Sequence, residues 1–227
     1  MTRIEAIVSD FGGVLTTPLL DAFLGLQADR GIPLEAFGAA LARAAADDGG
    51  ENPLFELERG RLTEARFVEL LGAALREELG REVDLARFGE TFFEHLKPND
   101  ELFAFMRTLR ERGYRMAILT NNVREWEPLW RSMLPVDELF EVVVDSGFEG
   151  VRKPDRRIYE VTLDRLGVAP EAALFVDDTE VNCDAARTLG MHAVWFRSNA
   201  QAIAEIEQAL AGSAAGDQFS EPSRSQQ

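Results

Sequence analysis

Six polar side chains stand next to apolar segments of this chain and together could handle a phosphoryl group: Asp10, Thr120, Asn121, Lys153, Asp177 and Asp178. Asp10 is a carboxylate, ionised at neutral pH, so it can attack phosphorus without a base to activate it. The product of that attack is an aspartyl phosphate, a mixed anhydride that water then hydrolyses. Three carboxylates with a backbone carbonyl make a hard oxygen site suited to Mg²⁺. A hydroxyl, an amide and an ammonium suit the non-bridging oxygens of a phosphate. Singly, each residue has an ordinary explanation: Asp10 as a turn residue, Asp177-Asp178 as the acidic start of a helix.

Their shared position argues for a site. Ile4, Ala6, Ile7 and Val8 read as a strand buried on both faces, and Asp10 follows it into Gly12-Gly13. Four more short apolar runs predict strands: 115–119, ending in Thr120-Asn121; 142–144, ending in Asp145; 173–176, ending in Asp177-Asp178; and 192–196. Helical spacing separates them, as at Leu102, Phe105, Met106 and Leu109, at Trp126, Leu129, Trp130 and Leu134, and at Ile158, Val161, Thr162 and Leu166. Strands alternating with helices predict an α/β, doubly wound, Rossmann-like parallel sheet, whose ligands bind beyond the carboxyl ends of the strands. Lys153 precedes a helix capped by Asp155.

Residues 17–96 carry a helical pattern and no strand. Four helices are expected there, around Leu19–Leu26, Leu34–Ala45, Phe67–Leu75 and Asp84–His95, with a polar break at 46–53. His95, the tryptophans, Cys183 and His192 are read as packing or solvated residues and stay outside the site. From about residue 213 the Ser/Gln-rich end is expected to be disordered.

With 40 acidic and 24 basic residues the net charge is -16, which disfavours nonspecific contact with nucleic acid or anionic membrane. A small anionic substrate must therefore be held by local cations or backbone amides. The single cysteine excludes an internal disulfide. No membrane-length apolar run or signal-type start is present, so the expected location is cytoplasmic. A monomer or a homodimer is expected.

In their order, Asp10-Phe11-Gly12-Gly13-Val14-Leu15, Ile118-Leu119-Thr120-Asn121, Arg152-Lys153-Pro154-Asp155 and Val176-Asp177-Asp178 with Asn182 resemble the four motifs of the haloacid dehalogenase superfamily. Glu58-Arg59-Gly60-Arg61-Leu62-Thr63 and Thr120-Asn121-Asn122 look most like the group that includes the N-terminal phosphatase domain of soluble epoxide hydrolase. The resemblance implies a core from 1–16 and 97–212, a helical cap over 17–96 of the type inserted after the first strand (C1), and a tail over 213–227. It further implies Mg²⁺-dependent hydrolysis of a small phosphorylated metabolite. Asp10 would be nucleophile and metal ligand, and Asp178 the second carboxylate ligand. Asp177 would be a weaker ligand or an outer partner. Thr120, Asn121 and Lys153 would bind the phosphoryl group.

One departure matters. Phosphatases of the superfamily usually place a second Asp two residues after the nucleophile, as general acid and base, and here that position is Gly12. Its carbonyl can still serve a metal ion, but the proton-transfer group is missing. General acid-base catalysis is worth about 10²–10⁴-fold, so a substrate with a good leaving group is expected, with a steep dependence of rate on leaving-group pKa. A 2-haloacid dehalogenase, which also uses an Asp nucleophile, and a catalytically weak binding member are the alternatives.

Overall fold

The computed structural model describes residues 2–47 and 50–217, leaving aside the side chains of Asp47 and 214–217. Five strands form one parallel sheet: β1 (Ala6–Ser9), β2 (Arg115–Thr120), β3 (Val142–Asp145), β4 (Ala173–Asp177) and β5 (His192–Trp195). Their order is β3-β2-β1-β4-β5, with β1 in the middle. The chain thus builds outward from β1 on one side, then returns to the other. The switch between those directions lies at the end of β1, where a crevice opens in sheets of this kind. All five predicted strands are present, within two residues at each end.

The strands are apolar on both faces because both faces are covered. Ile7, Ile118, Leu174 and Val176 join one buried cluster, with Phe103, Met106, Trp130 and Ile206. Ala6, Val8, Leu119 and Phe175 join another, with Ile158, Tyr159 and Ala186. The covering helices include α6 (Asp100–Glu111), α10 (Arg156–Leu166), α11 (Glu180–Leu189) and α12 (Asn199–Asp217), with the short helices α7 (Glu127–Arg131), α8 (Val136–Leu139) and α9 (Ser146–Glu149) between β2 and α10. The single helix suggested by Trp126 to Leu134 is in fact a 3₁₀ turn followed by α7, and Pro128 sits in the first turn of α7, where its missing N–H costs least.

Between β1 and α6 lie α1 (Leu19–Arg30), α2 (Leu34–Asp47), α3 (Pro53–Glu58), α4 (Glu64–Leu79) and α5 (Phe88–Glu94). They enclose an apolar cluster of their own, including Leu26, Phe37, Leu57, Phe67, Leu71 and Phe88. The chain leaves and re-enters the sheet region at neighbouring points. Thr16 bridges Pro98 in antiparallel fashion, and the Thr17 N–H donates to the Lys97 carbonyl at 2.8 Å. Helix α3 was not expected within its polar surroundings. Asn52 makes it possible by accepting from the Leu54 N–H, with Pro53 at the first helical position.

The stretch expected to be disordered begins at residue 213. Helix α12 continues to Asp217, and Ser213 is buried with its hydroxyl donating to the Leu210 carbonyl at 2.9 Å. Residues 218–227 lie outside the described residues.

Candidate active site

The site forms where β1, β2 and β4 end side by side. Asp10 leaves β1 with its N–H bonded to the Val176 carbonyl, which fixes it against β4. Its Oδ1 accepts from the Phe11 N–H at 2.7 Å and lies 2.9 Å from Lys153 Nζ. Its Oδ2 makes no hydrogen bond among the described residues. The loop after it closes on itself, the Gly13 N–H donating to Thr16 Oγ1 at 3.0 Å and the Leu15 N–H to the Phe11 carbonyl. Gly13 has a φ of 75°, and a Cβ there would collide with Asp178 Oδ2. The second glycine is thus the space in which the Asp178 carboxylate rests.

Lys153 is 1% exposed, and its ammonium lies between Asp10 and Asp177, 2.6 Å from Asp177 Oδ2. Burial alone would depress its pKa, but Asp10 and Asp177 outweigh that and keep it raised and protonated. Asp177 has little left to offer a metal. Its Oδ1 accepts from the Thr179 N–H and Asn182 Nδ2, and its Oδ2 from Lys153. The geometry favours the outer-partner reading of Asp177. Asn121 is likewise committed: its amide donates to the Lys153 carbonyl at 3.1 Å and accepts from the Lys153 N–H at 2.8 Å. It fixes the lysine loop against the end of β2. Thr120 ends β2 with its hydroxyl making no hydrogen bond among the described residues.

The oxygens of Asp10, Asp177 and Asp178 converge, with ligand atoms within 4.8 Å of one another. Burial, more than any neighbour, raises the Asp10 pKa well above the usual carboxylate range, and Asp177 and Asp178 add to it against the pull of Lys153. Asp178 is raised by burial and by Asp177. Fully ionised, three carboxylates against one ammonium would leave two negative charges in the crevice, an excess that the raised Asp10 and Asp178 pKa values reflect. A divalent cation is the counter-charge that this donor set lacks, and the oxygen-only donors suit Mg²⁺.

Two spaces meet here. A polar crevice of about 440 Å³ is lined by Asp10, Lys153, Asp178 and Thr179, with Phe55 and Arg152 at its wall. Behind it is a more enclosed cavity of about 150 Å³, lined by Phe23, Phe37, Phe88, Phe92 and Trp126, with Thr120 and Asn121 at its floor. Trp126 packs against Phe92 with ring centroids 5.5 Å apart while also walling this cavity, so it is both a packing and a cavity residue. Leu19, Phe23 and Phe55 face these spaces, in keeping with their position in the helical block. His95 does not: Nε2 lies 2.7 Å from Asp29 Oδ2, and the ring packs against Gly25. Cys183 is buried, and burial pushes its thiol up to about 12, far from any reactive thiolate.

Glu58 and Arg152 also line this site, although neither stands at a strand end. Arg152 Nε donates to Glu58 Oε2 at 2.5 Å, and the guanidinium lies 4.0 Å from the Phe55 ring centroid. The signal was present in Glu58-Arg59-Gly60-Arg61, where a turn follows the acid, but its partner is 94 residues away.

A family profile described as haloacid dehalogenase-like hydrolase matches residues 4–190. The chain belongs to that family. It is a hydrolase of the haloacid dehalogenase superfamily, as the four motifs suggested. The chain is 41% identical over 92 residues to glyceraldehyde 3-phosphate phosphatase of Pyrococcus abyssi, a stretch covering 39% of this chain and 38% of the relative. It is 25% identical to mouse (Mus musculus) bifunctional epoxide hydrolase 2 over 93% of this chain and 39% of the relative. The chain therefore spans less than two-fifths of the length of either curated relative. Among solved structures, the haloacid dehalogenase family enzyme bt-2542 of Bacteroides thetaiotaomicron, in complex with magnesium and inorganic phosphate, superposes with a TM-score of 0.63. It is 23% identical, with 86% of this chain and 96% of that one covered.

Proposed function

We propose that the protein hydrolyses small phosphomonoesters through an aspartyl phosphate on Asp10. The observation that carries this reading is the division of labour within the Asp10 carboxylate. One oxygen is pinned by the Phe11 N–H and Lys153, and the other is unbonded at the crevice. Attack by that oxygen displaces the leaving group, and water hydrolyses the resulting anhydride to inorganic phosphate and a restored Asp10. Lys153, held by Asp177, faces the charge that builds on the phosphoryl oxygens, and the Thr120 hydroxyl donates to one of them. Asn121 serves this step by holding Lys153 in register.

Asp10, Asp178 and the Gly12 carbonyl would hold Mg²⁺, with Asp177 behind them. Bound there, the ion supplies the positive charge that lets carboxylate and phosphate approach each other. The phosphatase relative and the magnesium and phosphate complex of the structural neighbour support this assignment. Residues 17–96 act as a cap that closes over the substrate, pivoting where Thr16 and Thr17 run beside Lys97 and Pro98.

A panel of phosphorylated metabolites with Mg²⁺, with EDTA and Asp10→Asn as controls, tests the reading. Phosphate release lost in both controls supports it, and phosphate release that survives EDTA overturns it. Gly12 and the apolar cavity also favour a 2-haloacid dehalogenase. That enzyme would release chloride from a 2-chloroacid in EDTA, whereas the phosphatase would not.

A further inference from the structure

Gly12 removes the usual proton donor, yet displacement of an alkoxide still needs one. The donor must stand where the bridging oxygen lies, between the phosphoryl group and the remainder of the substrate. Here that boundary is defined by the two adjoining spaces. Four residues line both: Gly12, Leu19, Asn121 and Glu58. Glycine and leucine carry no proton to give, and the Asn121 amide is tied to Lys153. Among the described residues, Glu58 is the only ionisable side chain in the wall of the apolar cavity.

We propose that Glu58, reaching down from α3, is the general acid and base that replaces the missing aspartate, an assignment that rests on the phosphatase reading above. In the first step Asp10 forms its bond to phosphorus, the bond from phosphorus to the leaving oxygen breaks, and the Glu58 proton passes to that oxygen, releasing an alcohol. In the second step the Glu58 carboxylate takes a proton from water as the water oxygen bonds to phosphorus and the bond to Asp10 breaks. Glu58 ends protonated, Asp10 ionised and phosphate free.

The surroundings of Glu58 suit both halves. Its side chain is 17% exposed, and burial raises its pKa, which favours the acid form. Arg152, and more weakly Lys153 and Arg59, pull the other way, so the carboxylate formed after proton donation is not left uncompensated. Oε2 is held by Arg152, and Oε1 makes no hydrogen bond among the described residues. With a donor in place, the steep leaving-group dependence expected from Gly12 alone no longer applies.

The test compares an alkyl phosphate with acetyl phosphate, whose leaving group needs no proton. Glu58→Gln is expected to cost about 10²–10⁴-fold in kcat on the alkyl substrate and less than about 5-fold on acetyl phosphate. Across aryl phosphates it should turn a shallow dependence on leaving-group pKa into a steep one. Adding Gly12→Asp to Glu58→Gln should restore the alkyl substrate. Equal losses on both substrates, or no loss on either, would overturn the assignment while leaving the phosphatase reading intact. Wild-type protein inert towards acetyl phosphate as well would overturn both. Glu58→Asp, which keeps the acid, is expected to retain part of the alkyl activity, and a thermal melt of each variant identifies any that fails to fold. If Glu58→Gln does not fold, Glu58→Asp decides: no selective loss on alkyl phosphates would refute the role.

Discussion

The polar crevice and the apolar cavity behind it are built on opposite principles. Around the crevice the groups that position charge are held by two or more directed contacts: Asp177 by Lys153, Asn182 and the Thr179 N–H, and Asn121 by the N–H and carbonyl of Lys153. In the cavity Phe23, Phe37, Phe88, Phe92 and Trp126 are held by apolar packing, among themselves at ring separations of 5.2 to 6.4 Å and against Phe67 and Phe93. Directed bonds fix atoms to fractions of an ångström, as charge stabilisation requires. Ring packing fixes volume and leaves shape adjustable. On the function proposed above, chemistry and substrate choice rest on different kinds of forces, and substitutions on either side should fail in different ways.

The largest effect is expected from Asp10→Asn, which keeps the shape but removes the nucleophile. Turnover should drop roughly 10⁴-fold or more, in single- as well as multiple-turnover assays, with no labelled phosphoenzyme after rapid quench. Lys153→Met should fail twice. Loss of the charge aimed at the phosphate should cost about 10²–10³-fold in kcat. The buried, unpaired Asp177 should cost about 3–5 kcal/mol of stability, read by denaturant unfolding. An intact unfolding midpoint would show that the ammonium is not the counter-charge of Asp177.

On the cavity side, Phe88→Ala should cost about 3–5 kcal/mol in stability and, unlike the crevice variants, change the ranking of substrates by size more than it lowers kcat on the smallest ones. A loss of kcat uniform across substrates would blur the distinction between the two regions.

The smallest effect concerns Asp145, at the end of β3 just outside the crevice. Its Oδ1 accepts from the Gly147 N–H, its Oδ2 makes no hydrogen bond among the described residues, and burial raises its pKa to about 6. The folded state therefore holds this proton more tightly than the unfolded chain. Stability should fall as pH rises from about 4 to about 6, by up to about 3 kcal/mol, and stay reduced above that. Asp145→Asn keeps the acceptor for Gly147 and should flatten that slope and stabilise the protein at pH 7, measurable as urea unfolding against pH. A slope unchanged in the variant would assign the pH dependence to other groups.

The sheet was legible because both faces of each strand are covered, so runs such as Ala173–Val176 are apolar without interruption and cannot be mistaken for half-exposed strands. The acidic and basic groups were legible because each directly follows a strand or precedes a helix. What the sequence hid depends on contacts between distant segments. Whether Asp177 bonds a metal or a lysine is decided by Lys153, and nothing in Val176-Asp177-Asp178 reports where that lysine points. Glu58 reads as an ordinary acid at a helix end until Arg152 and Gly12 are seen beside it. Trp126 has the spacing of a packing residue, and it is one. Only the gap between its ring and the strand ends makes it a cavity wall as well.

The two adjacent glycines of the first loop are constrained very differently. At position 13 any side chain would evict Asp178 and needs a backbone angle that side chains rarely adopt. At position 12 the nearest atoms to a Cβ belong to the Leu19 side chain, at 3.0 and 3.4 Å, and the backbone angle is an ordinary one. An aspartate there is thus sterically within reach of a single substitution, with a methyl group of α1 as its nearest obstacle. The bare position 12 is not something that the scaffold demands, and the fold could regain the core-borne acid without rebuilding the loop.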